Sequence, residues 1–569
     1  MQRDLTRLAD SCYDVLVIGG GIYGACVARE GALRGLSVAL VDMADFASGT
    51  SANSLKVIHG GLRYLQHGDV RRMRISINER HTLMRIAPHL VHPLPVLIPT
   101  YGHGVQGKDI FRLALILNDV VSFDRNRGLD AQHALPRGRM LTRHACLHVA
   151  PGLRREHLTG GAFFYDAQVH NSERLLLASL RSAARAGAAM ANYTKVIGFL
   201  TQQDRVVGAC VQDVLAGEQF DIRARMIVNT TGPWVNQCLR LLPRPRPLAR
   251  MRQAQAMNLM TRSLELPCAL GIQSRQDYRD ADTLINKGSR LLFITPWRGQ
   301  SLIGTAYTLA AAETERPQVT PQDIEQFLTD INAAYPAAQL HPQDVSFVHG
   351  GFVPMVGTHP VTGDIQLAKH HQIRDHRQDG WHGLLSVVGV KYTTARYVAE
   401  KVIDQVFAVW GQRPVRSLSA TTPLYGGGME QYSDFLRTEV QRRPQGLTED
   451  MVRHLVSNYG TAYAEVLQYR HEHKSAEGWA AVMSAEVLYG IEHEMAQKLS
   501  DIVFRRTDLG TAGHPGDGRL WDCAKVMGSR LGWSQARMQQ EIDEVTAIFP
   551  ACREQCHHAD PRVASTAVQ

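Results

Sequence analysis

The sequence has no apolar run approaching the roughly 20 residues that cross a bilayer, which excludes a membrane-spanning helix. Its first residues, MQRDLTRLADSCYD, lack the apolar core of a secretory signal. Cysteine is scarce: 9 in 569 residues, scattered and odd in number. That excludes a disulfide scaffold and reads as reduced thiols in a cytosolic protein. An excess of one charge is lacking too. Lys and Arg total 62 against 54 Asp and Glu, a net of +8. This is too mild to mark a nucleic-acid surface, although it suits an anionic substrate or an anionic membrane surface. Metal-ligand spacing is missing as well. Cys552, Cys556, His557 and His558 have no second ligand pair at a zinc-like distance. His471 and His473 would face opposite ways on a helix, so no metal site is expected.

What is present starts at residue 13, with YDVLVIGGGIYGACVAREGALRGLSVALVD. Residues 15–18 are a short β-branched run ending in glycines, as in a buried parallel strand. Gly19, Gly21 and Gly24 form G-x-G-x-x-G, followed by helix formers, a second apolar strand and Asp42. The first glycine allows a tight turn, the second a close approach of backbone to a pyrophosphate, and the third close helix–strand packing. The helix N-terminus offers N–H groups and partial positive charge to phosphates, and Asp42 would accept from an adenosine ribose. The pattern predicts a dinucleotide site, without separating FAD from NAD.

The next segment, ASGTSANSLKVIHGGLRYL at 47–65, separates them. It resembles the second cofactor segment of FAD-dependent glycerol-3-phosphate dehydrogenases, within the wider D-amino-acid-oxidase-like flavoproteins. The resemblance implies FAD as the cofactor, contacted by Thr50, Ser51, Ser54, Lys56 and His59. It also implies Val196 beside the adenine and a close passage at Thr231, Gly232 and Trp234. A third segment, GLLSVVGVKYTTARY, would bring Gly389, Lys391, Tyr392, Thr393 and Thr394 to the flavin edge. There the helix start would stabilise negative charge. The family form has a second glycine where this chain has Val390.

The implied fold is an α/β Rossmann-like FAD-binding domain with an antiparallel-sheet substrate domain and a C-terminal all-α domain. The expected division is 1–90, 160–240 and 345–411 for FAD binding, 91–159 and 241–344 for substrate, 412–555 for the helical domain and 556–569 as a tail. Helices are expected over 69–90, 110–121, 172–186 and 321–335. Pro88, Pro93, Pro95 and Pro99 are expected to break the chain up. Ser500 is expected to cap a helix.

The resemblance further implies oxidation of a secondary alcohol by hydride transfer to the flavin. The alternative is a same-fold flavin dehydrogenase or oxidase for another small hydroxylated, phosphorylated or amino substrate. His59, Arg63 and Lys391 carry over as catalytic residues. Arg63, Tyr64, Tyr307, Val353, Lys369 and Lys391 carry over as the substrate wall, and the basic stretch ending at Arg252 as a lining of its entrance. Three further positions, on the substrate side, depart from the family pattern: Gln255 replaces a histidine, Tyr307 an acid and Val353 an arginine. Quinone or another electron acceptor is implied. So is a cytoplasmic location with peripheral contact at the inner face of the cell membrane. A homodimer is left open.

Overall fold

The structure is a computed structural model. It describes residues 1–102, 107–244, 252–277, 289–310, 316–360, 362–472 and 477–549. Cys552, Cys556, His557, His558 and His473 lie outside these residues, and among the described ones no cluster of His, Cys, Asp or Glu could hold a metal ion.

The glycine motif nucleates the first sheet. Strand Cys12–Ile18 runs parallel to Val38–Val41 on one side and to Gln219–Asn229 on the other. Leu384–Val388 and Ala189–Ala191 extend these in parallel. Gln372–Asp375 and the hairpin Thr194–Gln202 with Arg205–Asp213 add antiparallel edges. Such a parallel centre is apolar on both faces. Helices Ile22–Leu33 and Ala395–Val409 cover one face through Val27, Ala28, Val398, Val402 and Val406. The hairpin and Leu8, Leu239 and Trp381 cover the other.

The second sheet is antiparallel apart from one parallel contact. Its order is Ile365–Leu367, Val345–Thr358, Arg252–Thr261, Gln300–Leu309, Ser289–Trp297, Ala269–Asp277, Val91–Tyr101, Leu158–Val169, Val57–Ile58. This moves three expected boundaries. Val57–Ile58, Leu158–Val169 and Val345–Thr358 pair within this sheet, so the nucleotide sheet resumes only at Gln372. The proline-rich stretch does not break up; it is the strand Val91–Tyr101. Pro93, Pro95 and Pro99 are separated by even numbers of residues, so their missing N–H groups share one edge and the other edge can pair with Leu158–Val169.

The C-terminal region is helical as expected. Helix Gly478–Glu494 ends where Met495 turns left-handed at φ +58°. Ser500 lies inside the short turn Leu499–Asp501 and does not cap it. Asp501 does that work, accepting from the N–H groups of Gln497 (2.8 Å) and Lys498 (2.9 Å). The cysteines among the described residues form no disulfide.

Candidate active site

The glycine turn is built by close approaches. A Cβ on Gly24 would lie 1.8 Å from the Gly19 carbonyl oxygen, so the third glycine is demanded by packing. Gly19 sits at φ +103°, a region that favours glycine. Gly21 is different. Its φ is −74°, and a Cβ there would meet only the Ser51 hydroxyl, at 3.2 Å. Neither strain nor packing asks for glycine, whereas the approach of a ligand to the N-terminus of helix Ile22–Leu33 does. Ser51 accepts from the Ile22 N–H at 2.9 Å, which brings the second segment onto this helix start. Thr230, which the sequence did not flag, donates its hydroxyl to the carbonyls of Ile18 and Gly19, both at 2.9 Å, and so locks the turn.

Asp42 ends its strand as expected. Its carboxylate accepts from the N–H groups of Gly20 (2.6 Å) and Ala44 (2.9 Å). Burial pushes its carboxyl up to about 6, against those two N–H groups. Thr194 donates its N–H to the Asp42 carbonyl at 2.7 Å, bringing the strand that carries Val196 beside it. The Val196 side chain itself packs into the core.

Several cofactor candidates have other work. Lys56 is 1% exposed and donates to Ala52 O, Ser172 Oγ and Glu173 Oε1, each at 2.7 Å. An ammonium has three protons. Its side chain therefore ties the loop to helix Ser172–Arg185, with each ammonium proton already taken. Ser54 accepts from the Lys56 N–H at 3.3 Å. The Tyr392 hydroxyl donates to Ser172 O at 2.7 Å, a packing role. The Thr50 hydroxyl bonds the backbone of Phe352 (3.1 Å), joining the loop to the second sheet. Thr231 donates to Asn229 Oδ1 at 2.7 Å. Trp234 lies against Gly49, where a Cβ would meet its ring at 3.2 Å. Gly232, at φ +59°, has nothing within 4 Å of where its Cβ would be.

The third segment arrives through Tyr23, another residue the sequence reading passed over. Its hydroxyl donates to Lys391 O at 2.7 Å and accepts from the N–H groups of Val390 and Lys391 at 3.2 Å. A Cβ on Gly389 would lie 2.0 Å from the same ring, which explains the glycine. Thr394 stands at the N-cap position of helix Ala395–Val409 without a side-chain capping bond, and Thr393 is buried beside it. The Lys391 ammonium lies 3.9 Å from the Tyr64 ring centroid. Arg63 and Tyr64 share the 3-10 turn Leu62–His67, so this turn and the third segment meet.

His59 is the chemically distinctive member. Its Nδ1 is 3.1 Å from Asp166 Oδ2, and its ring lies 5.6 Å from that of Phe293. Asp166 also accepts from the N–H of Gly60 and from Arg80, both at 2.6 Å. Burial works against the Asp166 charge, but His59, Arg80 and Gly60 outweigh it and hold the carboxyl below its ordinary value. An ionised Asp166 only accepts, so the proton sits on Nδ1 and Nε2 presents a lone pair. The His59 side chain is 41% exposed, accessible to a small molecule.

Strand alternation decides which substrate-wall candidates share this face. Phe293 pairs with Gly304, and Gly304 with Asn258, whose amide donates to Asn53 O at 3.3 Å. Ala256 pairs with Tyr307 and Ala254 with Val353, on that same face. Val353 and Tyr307 pack there with Ala254, Met355 and Ile365. Arg290 lies over the Tyr307 ring, 5.3 Å from its centroid. Gln255 is on the opposite face, held by Gln318 (2.6 and 3.0 Å), so its departure does not touch the site. Lys369 follows Ala368, whose N–H donates to Pro354 O at 2.9 Å, and so stands near Val353. Arg252 is exposed at the strand's start.

Comparison with known proteins gives the family and the fold. The family described as "FAD dependent oxidoreductase" matches residues 14–402, and the "C-terminal domain of alpha-glycerophosphate oxidase" matches 417–538. The chain is 33% identical to a glycerol-3-phosphate dehydrogenase of Synechocystis sp., covering 95% of this chain and 97% of that one. It is 31% identical to a mitochondrial glycerol-3-phosphate dehydrogenase of Mesocricetus auratus, covering 96% and 74%. The fold matches a Bacillus halodurans glycerol-3-phosphate dehydrogenase solved with FAD, with TM-score 0.75 and 25% identity over 95% of each chain.

Proposed function

The chain belongs to the FAD-dependent oxidoreductases, with Rossmann-like, antiparallel-sheet and C-terminal helical parts, and from that premise we propose that it oxidises the secondary hydroxyl of glycerol 3-phosphate or a close relative to a ketone. The observation that carries this reading is His59, oriented by Asp166 and lying against Phe293 of the antiparallel sheet. FAD supplies the hydride acceptor when bound. The residues that would hold it are Gly19, Gly21, Gly24, Ser51 and Asp42 at the adenosine and pyrophosphate end. The backbone of Thr231 and Gly232, with Trp234, Gly389, Lys391, Thr393 and Thr394, would serve towards the ring.

The chain's own contribution is acid–base and electrostatic. His59 Nε2 takes the hydroxyl proton, and Asp166 stabilises the imidazolium that results. The substrate, losing that proton and a hydride from carbon, becomes a ketone. Lys391 and Lys369 are the cations assigned to phosphate oxygens, and the Arg63 side chain expected with them lies outside the described residues. The test is anaerobic loss of the flavin's visible absorbance with a panel of polyols and their phosphates. Bleaching by glycerol 3-phosphate or a near phosphate ester, and none by neutral polyols, is expected. Bleaching by amino acids instead would replace this reading.

Helix Lys108–Val121 supports a membrane-surface acceptor such as quinone. None of the described helices is long and apolar enough to cross a membrane. This one leaves Leu113, Ile116, Leu117 and Val120 exposed on one face, followed by Phe123 at 81% exposure. Lys108 and Arg112 are exposed beside them. Its end packs near the turn that carries Tyr64, through Val121. Lys108 and Arg112 are balanced by Asp109 and Asp119, so it is the exposed apolar face and not a net charge that suits a membrane interface. Sedimentation with anionic vesicles, abolished by Leu113→Ser with Val120→Ser, is expected.

A further inference from the structure

The loop after Asp42 is held from a second side. Three residues on, Asp45 is completely buried, and so is Arg506 of the C-terminal helical domain. Arg506 grips Asp45 with two parallel bonds, Nη1 to Oδ2 and Nη2 to Oδ1, both 2.7 Å. Arg505 adds a further bond to Oδ2, and Asn192 donates to Oδ1 at 2.9 Å. Arg505 is fixed in turn by Asp501 at 2.6 Å, and Asp501 by the Tyr193 hydroxyl at 2.7 Å. Arg506 also donates to Glu494 O at 2.7 Å. The partners span two domains and have sequence separations of up to 461 residues.

The same loop touches the glycine turn. Phe46 is buried against Gly20, where a Cβ would meet its ring at 2.5 Å. The Ala47 N–H donates to Gly20 O at 3.2 Å, and Asp42 takes the Gly20 N–H. Residues 42–47 thus have the phosphate turn on one side and the C-terminal arginines on the other. A buried ion pair is a poor device for adhesion alone, because its desolvation cost offsets much of its attraction and apolar residues would hold the domains as well. A forked pair supplies direction: it fixes the carboxylate, and the loop bearing it, in one orientation.

We infer that Arg506 is a positioning residue for the cofactor site. Through Asp45, the C-terminal domain sets the loop that presents Asp42 to the adenosine half of FAD. The inference rests on the assignment of Asp42 to the adenosine.

The experiment uses the full-length apoprotein, refilled with FAD or with ADP as an adenosine-half probe. Dissociation constants are measured well below the unfolding temperature, by flavin fluorescence for FAD and by competition for ADP. Arg506→Met is expected to weaken both by about 30-fold or more, and to shrink the rise in melting temperature that saturating FAD gives. Arg506→Lys, which keeps the charge but not the fork, is expected to fall between. If Arg506→Met does not fold, Asp45→Asn and Arg506→Lys decide by the same measurements. Unchanged FAD and ADP affinities with only a lower apoprotein melting temperature would overturn the inference, since that is what an adhesive role produces. Asp42→Asn in the same assay separates the premise: intact ADP binding there would retire the adenosine assignment itself.

Discussion

Around the start of helix Ile22–Leu33, the polar groups constrain one another closely. Thr230 holds two carbonyls, Asp42 two N–H groups, Ser51 one, and Gly24 leaves no room for a methyl group. The sheet face bearing Tyr307 and Val353 is made differently. Its backbone ladder is generic, and Val353 packs with Ala254, Met355 and Ile365. A side chain in the first region answers to several backbone atoms at once. One in the second answers to neighbouring side chains and to whatever molecule sits against it. Substitution is therefore cheap for the fold on the sheet face and costly at the turn. The glycines expected of the resembled family stand at the turn, and the departures expected at Tyr307 and Val353 fall on the sheet face.

Two glycine variants give the sharpest break in that comparison. Gly24→Val should prevent the turn from forming, because its first added carbon would fall 1.8 Å from Gly19 O. Gly21→Val should fold, since a Cβ there meets only Ser51, yet bind no FAD. Flavin content and circular dichroism together check this. Yellow Gly21→Val protein would show that the glycine is not there for the cofactor.

Next in size is the acid–base pair. His59→Ala should slow flavin reduction by roughly 100-fold or more with flavin still bound, the scale of one proton-transfer group. Asp166→Asn should act in the same direction, because an amide would no longer fix the proton on Nδ1 of His59. Stopped-flow reduction by substrate measures both. Full-rate reduction in His59→Ala would move the base elsewhere.

How much of this the sequence carried depends on distance along the chain. The strand–turn–helix with its closing acid occupies 30 residues, so one local pattern contains its physics. The Asp166 that orients His59 is 107 positions away, and the Arg506 that holds Asp45 is 461 away. Neither pairing has a periodicity to read. Lys56 and Tyr392 show a second limit. Their segments suggested cofactor contact, but side-chain direction follows from tertiary packing, and both turn towards Ser172. Proline in Val91–Tyr101 shows a third: the even spacing that makes a proline strand possible was visible, but which edge needed its N–H groups depended on a partner strand far along the chain.

Asp42 gives a smaller effect with a definite sign. Its carboxyl stands at about 6 in the folded protein against 3.8 for the free group, raised by burial. The folded state therefore holds this proton more tightly than the unfolded chain. The stability it contributes is full below about 4 and is lost as pH rises through about 6. Wild-type apoprotein should lose stability relative to Asp42→Asn over that interval, as read by denaturant unfolding at each pH. FAD affinity should move the other way, weaker in Asp42→Asn by roughly 10- to 100-fold, the worth of a charged acceptor. A flat difference in stability across the interval would mean that Asp42 ionises as freely as in the unfolded chain.

Val353 should give the smallest effect, and it probes the looser region directly. An arginine there would leave its strand pairing with Ala254 intact and put a charge on the face shared with Tyr307. A new charge-assisted contact to a phosphate contributes about 1.5–3 kcal/mol when well formed. The apolar packing lost by removing valine, and the proximity of Arg290 and Lys369, reduce that gain. We expect Val353→Arg to raise the second-order rate of flavin reduction by glycerol 3-phosphate by about tenfold or less, and to lower it for esters with a larger apolar substituent. Rapid reduction is the measurement, with both substrates on both proteins. If wild type already reacts efficiently with glycerol 3-phosphate and the arginine adds nothing, the cations already present suffice for the phosphate. The valine would then be a neutral exchange on a face that tolerates it.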